Sequence, residues 1–167
     1  VTLGCTRQVG PTGEDFQEVP ADMVIIDMVS NMTSNGIRKA RLQGDTANVF
    51  DDSSSVKVKG VKLIFFDEQG VQSGSLTSRT GDFNSATQAM IARGNVVLVT
   101  TKDSRRIETE ELHYDPQTHQ LWSEVKTLMV EGNSRVTGDG FNADDKFVNF
   151  KITNMRGRVD RGLKMKF

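Results

Sequence analysis

Residues 56–70 read VKVKGVKLIFFDEQG, and this stretch decides the fold class. Its first four residues alternate between apolar and charged side chains, and the alternation resumes after Gly60 in the opposite phase. A period of two is typical of a β-strand that buries one face. Gly60 at the change of phase predicts a bulge or bend within the strand, and the closing DEQG predicts a turn.

Similar strand patterns recur along the rest of the chain. Further strands are predicted at residues 95–101, 107–114, 121–122 and 147–152, with polar turns between them. Residues 22–30 are strongly apolar, but so short a run does not separate a strand from a helix. Residues 84–93 have good helix propensity, and their position between strands favours a strand. The chain is therefore predicted to be all-β.

An internal repeat of about 30 residues indicates how the strands are connected. Its anchor residues each stand near a polar or glycine-containing segment, and they are Ala47, Leu76, Leu112 and Phe141. A repeat of this length built only from strands fits stacked antiparallel hairpins, whereas parallel strands would need crossover helices. Chance similarity is the alternative explanation in a chain with 15 glycines.

Length, composition and charge exclude several classes of protein. The chain has 167 residues, which corresponds to about one domain and allows a core without disulfides. Its 21 basic and 22 acidic residues leave a net charge of -1 and no basic field for nucleic acid. A single cysteine excludes an internal disulfide framework and a cysteine-based zinc site. No apolar run approaches 18 residues, so no transmembrane helix is expected.

The beginning of the chain differs from its middle. Three segments are predicted, namely a membrane tether or linker at 1–21, a β-domain at 22–160 and a basic tail at 161–167. The tripeptide Leu3-Gly4-Cys5 is similar to the end of a bacterial lipoprotein signal, in which the cysteine thiol is lipidated. Thr2 departs from that pattern, because leucine is usual there. An ordinary exposed Cys5 is the alternative.

The end of the chain is strongly basic. Residues 156–167 contain three arginines and two lysines against a single aspartate. Such a tail either contacts membrane or lipid phosphates through charge-assisted hydrogen bonds or remains solvated, where it keeps an edge strand from aggregating.

No group of residues predicts catalysis, a cofactor or a metal ion. His113 and His119 are six residues apart around a turn, without an obvious third ligand, and are interpreted as surface residues. The Asp-Asp pairs at 51–52 and 144–145 lack the spacing of a calcium loop and are interpreted as solvated turns. No serine lies in a nucleophile elbow, and no glycine loop has phosphate-binding spacing. An enzyme is therefore the least favoured hypothesis.

The inward faces of the predicted strands allow two interpretations. Phe, Leu, Val and Met dominate those positions. If two layers of strands splay apart, these side chains line an apolar slot that suits acyl chains. If the layers close, the same side chains fill the core of a β-sandwich. Periodicity alone favours the filled core.

Four segments resemble, in order, the motifs of one family of envelope proteins. They are VKVKGVKLIFFDEQG at 56–70, ARGNVV at 92–97, IETEELHYD at 107–115 and VTGDGF at 136–141. Over residues 40–159 the chain resembles the LptC/LptA/OstA group of lipopolysaccharide-export proteins, and the LptC family most closely. Each motif is short, so the resemblance depends on their order and spacing.

This resemblance implies an open β-jellyroll of stacked antiparallel hairpins with a V-shaped apolar groove. It implies a non-enzymatic, periplasmic protein that accepts lipopolysaccharide from an inner-membrane ABC transporter and passes it along a bridge to the outer membrane. The next member of that bridge would be an LptA-like protein joined by edge-strand addition. The family is usually anchored to the inner membrane by an N-terminal transmembrane helix, whereas here Cys5 would indicate a lipid anchor.

The groove implied by the resemblance is predicted to hold acyl chains against ten inward-facing residues. They are Leu63, Phe65, Met90, Val96, Leu98, Leu112, Tyr114, Leu121, Phe141 and Phe150. Arg105 and Arg106 are candidates for a rim that contacts lipid phosphates. An error of one residue in register would turn the inward set outward. The alternative function is a structural or interaction module, a closed β-sandwich that bridges envelope partners by its edges and binds no lipid.

Overall fold

The computed structural model describes residues 20–158, which form twelve β-strands and one turn of 3-10 helix at Asp51–Ser53. The strands are β1 Met23–Ser34, β2 Ile37–Phe50, β3 Ser55–Phe66, β4 Gln72–Asn84, β5 Met90–Thr100, β6 Arg106–Asp115, β7 Gln120–Ser123, β8 Thr127–Glu131, β9 Ser134–Gly138, β10 Gly140–Asp144, β11 Phe150–Thr153 and β12 Arg156–Arg158. The strand pairings described are antiparallel, as a series of hairpins requires.

All of these strands belong to one sheet, which forks at β6. The strands from β1 to β6 pair in sequence order. The end of β6 then pairs with β7, while its beginning pairs with β8. One arm of the fork continues through β10 to β11, and the other continues through β9 to β12. The sheet is open, because β1 and β11 are its unpaired edges along the main path.

A line of irregular backbone crosses the sheet at one level, and we call this line the seam. Regular pairing is interrupted at Asp27 and Asp45, which face each other, and again at Gly60 and Arg79 in the next two strands. The φ angle is 52° at Asp27, 65° at Gly60 and 77° at Gly94, where β5 crosses the seam. Positive φ does not occur in regular strands, so the strands bend where they cross the seam.

The seam also changes which alternate residues of a strand point inward. In β3 Val58 is buried before Gly60, and Val61 is buried after it. The same shift occurs in β6 between Thr109 and Leu112. One additional residue at the seam therefore keeps apolar side chains inward on both sides of the bend. This arrangement confirms the bend predicted at Gly60.

The bend folds the sheet over on itself. The rings of Phe65 in β3 and Tyr114 in β6 lie 5.1 Å apart between centroids. These strands are three positions apart in the sheet, which corresponds to about 14 Å in a flat sheet. The sheet therefore forms two facing layers. We call the part on the Phe65 side of the seam the first layer and the part on the Tyr114 side the second layer.

Most predicted strands occur in the structure. The apolar run at 22–30, which left strand and helix open, lies in β1. The alternating stretches at 56–65 and 107–114 correspond to β3 and β6. The β-branched run at 95–101 extends as β5 from Met90 to Thr100.

The strand predicted over residues 84–93 is wrong for residues 85–89, which are not in a strand. β4 ends at Asn84, a turn follows, and β5 begins at Met90. The side-chain oxygen of Asn84 accepts hydrogen bonds from the backbone N–H groups of Ala86 and Thr87, at 3.0 and 2.8 Å. An asparagine that caps the backbone in this way replaces ladder hydrogen bonds with a turn.

The strand predicted over 147–152 begins three residues late, at Phe150. Phe147 lies in a loop and has a φ angle of 55°, which is rare for a bulky residue. The carboxylate of Asp144 accepts hydrogen bonds from the N–H groups of Val148 and Asn149, at 2.9 and 3.2 Å. These bonds hold the backbone in a loop where the apolar pattern alone predicts a strand.

The repeat of about 30 residues corresponds to one hairpin. Three of its anchors, Ala47, Leu112 and Phe141, lie directly beyond the seam in the second layer. Leu76 lies on the other side of the seam, and Gly81 holds the equivalent position in β4. Because consecutive strands are antiparallel, the chain crosses the seam in the same direction once in every two strands. This return gives the repeat its length of one hairpin.

Residues 1–19 and 159–167 lie outside the described residues. The predicted lipidation site at Cys5, almost all of the tether at 1–21 and the basic tail at 161–167 are among them. Within residues 20–158, no helix has the length and apolar character to cross a membrane.

Candidate functional site

The candidate site is the apolar interior between the two layers. The structure places all ten residues predicted for the groove there, and none is more than 6% exposed. They join one hydrophobic cluster that runs from Met28 in β1 to Phe150 in β11. All ten side chains therefore face inward, on both sides of the seam, as the alternation in each strand indicates.

Several interior residues were missed by the sequence analysis. They include Met28, Met32, Leu42, Val58, Leu76, Ile107, Met129 and Val136, all at most 8% exposed. The signal for Ile107 was present, because it alternates with Thr109 and belongs to the same strand as Leu112. Met28 and Met32 lie four residues apart, so the spacing did not separate a strand face from a helix face.

Aromatic rings close the interior on the side opposite the seam. Phe65 makes edge-to-face contacts with Tyr114 at 5.1 Å and with Phe147 at 5.3 Å. Phe147 also stacks on Phe150 at 6.3 Å and lies directly against Gly74, where a Cβ atom would collide with its ring. Phe147 belongs to residues 145–149, the loop between β10 and β11, which we call the closing loop. This loop belongs to the second layer and reaches across to the first.

An ion pair attaches the closing loop to the first layer. The Nζ atom of Lys146 lies 2.7 Å from Oε1 of Glu68, in the turn between β3 and β4. The hydrogen bond with Lys146 lowers the pKa of Glu68, and the same bond raises the pKa of Lys146. Both side chains are more than half exposed, so water screens this attachment.

A buried arginine holds the two layers together beside the closing loop. The Nε atom of Arg105 lies 2.5 Å from Glu131 Oε2, and a guanidinium nitrogen lies 3.3 Å from Asp103 Oδ2. The guanidinium also lies over the ring of Phe150, 4.1 Å from its centroid. Arg105 comes from the first layer and Phe150 from the second, so this stack crosses the interior.

The two arginines proposed for the rim have different surroundings. The side chain of Arg105 is 7% exposed and is already paired with two carboxylates, so it has no open face for a lipid phosphate. The side chain of Arg106 is 47% exposed and lies 2.7 Å from Glu108. Adjacent residues of a strand point to opposite faces, which explains the contrast.

Two buried side-chain hydroxyls, those of Ser73 and Tyr114, lack a partner within residues 20–158, and that of Tyr114 lies in the apolar interior. The hydroxyl of Tyr114 is buried and has no hydrogen-bond partner among the described residues. Burial raises the pKa of Tyr114, and the negative charges of Asp145 and Asp115 raise it further. Tyr114 is therefore a neutral hydrogen-bond donor at neutral pH, placed within an apolar interior.

The two histidines have separate partners and do not meet. His113 Nε2 lies 2.9 Å from Glu111, and His119 Nδ1 lies 2.8 Å from Asp145. Among the residues that the structure describes, no three His, Cys, Asp or Glu side chains could hold a metal ion.

The fold and the site define an open antiparallel jellyroll around an apolar interior. A family model described as lipopolysaccharide-assembly, LptC-related, matches residues 15–160. The chain belongs to this family, and its role lies in lipopolysaccharide transport rather than in enzymatic catalysis. No curated protein matches the sequence.

A solved structure supports the jellyroll fold. The chain is similar to LptH from Pseudomonas aeruginosa, described as the LptA homologous periplasmic component of the conserved lipopolysaccharide transport device. The TM-score is 0.53, with 16% sequence identity, and the match covers 72% of this chain and 92% of that chain. At this identity the comparison establishes the fold, and it confirms the predicted open β-jellyroll.

The two neighbouring arginines provide a test of the site. Replacing Arg105 with Ala leaves Glu131 without its partner in a largely buried setting, so we expect the free energy of unfolding to fall by about 3–5 kcal/mol. Replacing Arg106 with Ala, the matched control, removes an exposed pair and is expected to cost at most about 1 kcal/mol. Urea unfolding followed by circular dichroism measures both. Equal losses would contradict the buried clamp.

Proposed function

We propose that this protein binds lipopolysaccharide and holds its acyl chains in the interior between the two layers. It accepts the lipid from an inner-membrane ABC transporter and passes it along a periplasmic bridge of jellyrolls toward the outer membrane. The observation that carries this proposal is the continuous apolar cluster inside an open sheet, in a chain of the LptC-related family.

An apolar interior favours acyl chains over polar ligands. Burial of each methylene contributes about 0.8 kcal/mol, so one long chain gains roughly 10 kcal/mol before ordering costs. Side chains fill the interior, since the ten groove residues are at most 6% exposed. Lipid entry therefore requires the two layers to move apart, with the seam as the hinge.

The closing loop acts as the gate in this proposal. It is fixed by an exposed ion pair and by the ring of Phe147, whose backbone has an unfavourable positive φ angle. Its contacts with the first layer are this ion pair and the packing of the Phe147 ring on Phe65 and Gly74, whereas the seam is crossed by continuous strands. Opening on the loop side therefore costs less than opening at the seam.

Tyr114 supplies the polar contact for the lipid. Its buried hydroxyl lacks a partner, and an ester, amide or hydroxyl oxygen near the start of an acyl chain would provide one. An unsatisfied buried hydroxyl costs about 1–3 kcal/mol, which the lipid contact would recover.

Edge-strand addition joins the protein to its partners in this proposal. β1 is an edge of the sheet, and its apolar residues Met23, Val24, Ile26 and Val29 are each more than half exposed. An exposed apolar edge is a template for another strand. The partner is a second jellyroll, such as an LptA-like bridge protein.

We also propose that the protein is anchored to the inner membrane through a lipid attached to the thiol of Cys5. The support is the Leu3-Gly4-Cys5 pattern and the periplasmic setting named for the similar LptH structure. Mass spectrometry of the native N-terminus tests it, and an unmodified cysteine thiol would contradict the lipid anchor.

An interaction module that binds no lipid is the second candidate function. The observation in its favour is the complete burial of the interior, which is typical of an ordinary core. A fluorescent fatty acid or lipid A probe separates the two functions, because a permanently closed core gives no saturable uptake.

The location of bound acyl chains can be mapped with a lipid A analogue that carries a diazirine in one chain. We expect photo-adducts on inward residues such as Leu63, Leu98 and Leu112, identified by peptide mass spectrometry, because these side chains line the interior. Val97 is the internal control, since it neighbours Leu98 but points outward. Adducts confined to the outer face of β1 would show surface adsorption instead.

The gate predicts that Phe147→Ala accelerates lipid uptake. The substitution removes ring contacts worth about 0.5–1.5 kcal/mol each, and 1.4 kcal/mol corresponds to a factor of ten. We therefore expect roughly tenfold faster association of a fluorescent acyl probe in stopped-flow measurements. Val148→Ala is the control, because Val148 is 70% exposed. Unchanged or slower uptake in Phe147→Ala would rule out the gate.

The edge contact predicts that charge on β1 weakens assembly. Val24 and Ile26 are 57% and 65% exposed on one face, so Val24→Lys/Ile26→Lys leaves the core intact. Cross-strand pairs contribute about 0.2–1 kcal/mol each, so the loss of two pairs lowers the affinity for a second jellyroll roughly 2- to 30-fold. Sedimentation velocity with an LptA-like partner measures this. Val148→Lys serves as the control, and equal affinity in both variants would place the contact elsewhere.

A further inference from the structure

Positive charge is concentrated in the first three strands of the sheet. Strands β1, β2 and β3 contain six basic residues and two acidic ones, Asp27 and Asp45. Their net charge is therefore +4, within a chain whose total is -1. Both aspartates lie at the seam, so the parts of these strands on either side of it carry only basic charge. We call the outward side of β1, β2 and β3 the basic face.

The outward side chains of the basic face form three rows of the same composition. In each row an apolar residue of β1 pairs with an uncharged polar residue of β2, which pairs with a lysine of β3. The rows are Val24-Asn48-Lys57, Ile26-Thr46-Lys59 and Val29-Gln43-Lys62. Two strand spacings separate the ends of a row, which corresponds to about 10 Å. A line of apolar side chains therefore runs beside a line of ammonium groups.

Both lines are exposed and point away from the acyl groove. The three apolar residues of β1 are each more than half exposed, and the three lysines of β3 are also exposed. Val58 and Val61, which neighbour the lysines in sequence, are buried in the interior. Adjacent residues of a strand point to opposite faces, so the rows do not contribute to the interior.

The lysines of the rows lack counterions. No carboxylate within residues 20–158 forms an ion pair with Lys57, Lys59 or Lys62. The Nζ atom of Lys57 lies over the ring of Phe50, 5.4 Å from its centroid. Asp82, which pairs with Lys57 across β3 and β4, is already occupied by Arg93. The three ammonium groups can therefore meet an external anion without breaking an ion pair.

The basic face is a different surface from the edge of β1, although one strand supplies both. Strand addition uses backbone N–H and C=O groups, which lie in the plane of the sheet. The side chains of the rows stand roughly perpendicular to that plane. A partner at the edge and a partner on the basic face can therefore bind at the same time.

We infer that the basic face docks on the surface of an anionic phospholipid bilayer. The boundary of such a bilayer offers phosphates and acyl chains side by side, which matches a line of lysines beside a line of apolar residues. A neutral surface would leave the lysines without counterions, and a purely polar anion would leave Val24, Ile26 and Val29 in water. The inference requires neither lipid uptake in the interior nor lipidation of Cys5.

Vesicle binding tests the inference. The full chain, with the Cys5 thiol verified as unmodified by mass spectrometry, is titrated with vesicles of equimolar phosphatidylglycerol and phosphatidylcholine. We expect saturable binding that weakens as salt is added, because salt screens exposed charges. Vesicles of phosphatidylcholine alone should bind much less. Equal binding to both kinds of vesicle, or binding to neither, overturns the inference.

A triple variant assigns vesicle binding to the basic face. Each lysine near an anionic surface contributes about a factor of five, so Lys57→Gln/Lys59→Gln/Lys62→Gln should weaken binding to the anionic vesicles about 100-fold. The matched control is Lys102→Gln/Lys126→Gln/Lys151→Gln, which removes the same charge from exposed lysines outside the basic face. Equal losses in the two triple variants would show a response to net charge alone and overturn the inference.

Two parallel measurements separate this inference from the proposed function. Uptake of a fluorescent acyl probe and association with an LptA-like partner should both persist in the triple variant of the basic face. Their absence in the unaltered chain would contradict the proposed function and leave the vesicle result valid. A triple variant that loses the partner but keeps vesicle binding would assign the lysines to a protein contact and overturn the inference.

Discussion

The structure depends on the bend that a hydrogen-bonded sheet makes at the seam. A sheet with one apolar face must cover that face, and this chain covers it with the same sheet. The described strands make nine passes across the seam, six of them unbroken and three interrupted between β7 and β8, β9 and β10, and β11 and β12. Each pass places apolar residues inward on both sides, which requires the extra residue at the crossing.

The interior and the outer face have opposite chemistry because strand residues alternate. Leu121 and Tyr114 enter the apolar cluster, while their neighbours Trp122 and His113 form the outer ring stack. The proposed acyl site and the outer ring stack therefore share strands β6 and β7 without sharing side chains. A substitution on one face therefore changes the chemistry of that face alone, and the other face serves as an internal reference.

The sequence could predict the features that depend on local alternation. The inward set was predictable because each strand carries its own period-two pattern, and the bend at Gly60 was visible as a change of phase. The difference in burial between Arg105 and Arg106 was not predictable from local alternation, since it depends on Glu131 and Phe150, which are remote in the chain. The fork at β6 likewise depends on long-range pairing. Phe147 was assigned to a strand because its pattern is apolar, whereas the hydrogen bonds of Asp144 determine the loop.

The seam also determines how the molecule could grow. Neighbouring strands lie about 4.8 Å apart, so nine passes give a trough of roughly 40 Å whose length depends on strand number and not on the size of the layers. In the proposed assembly, a strand donated at β1 by another jellyroll would lengthen the trough in the same direction. If the bend in the sheet of the second jellyroll continues the seam of the first, the two interiors join into one continuous channel. An amphipathic cargo could then cross the junction without contacting water.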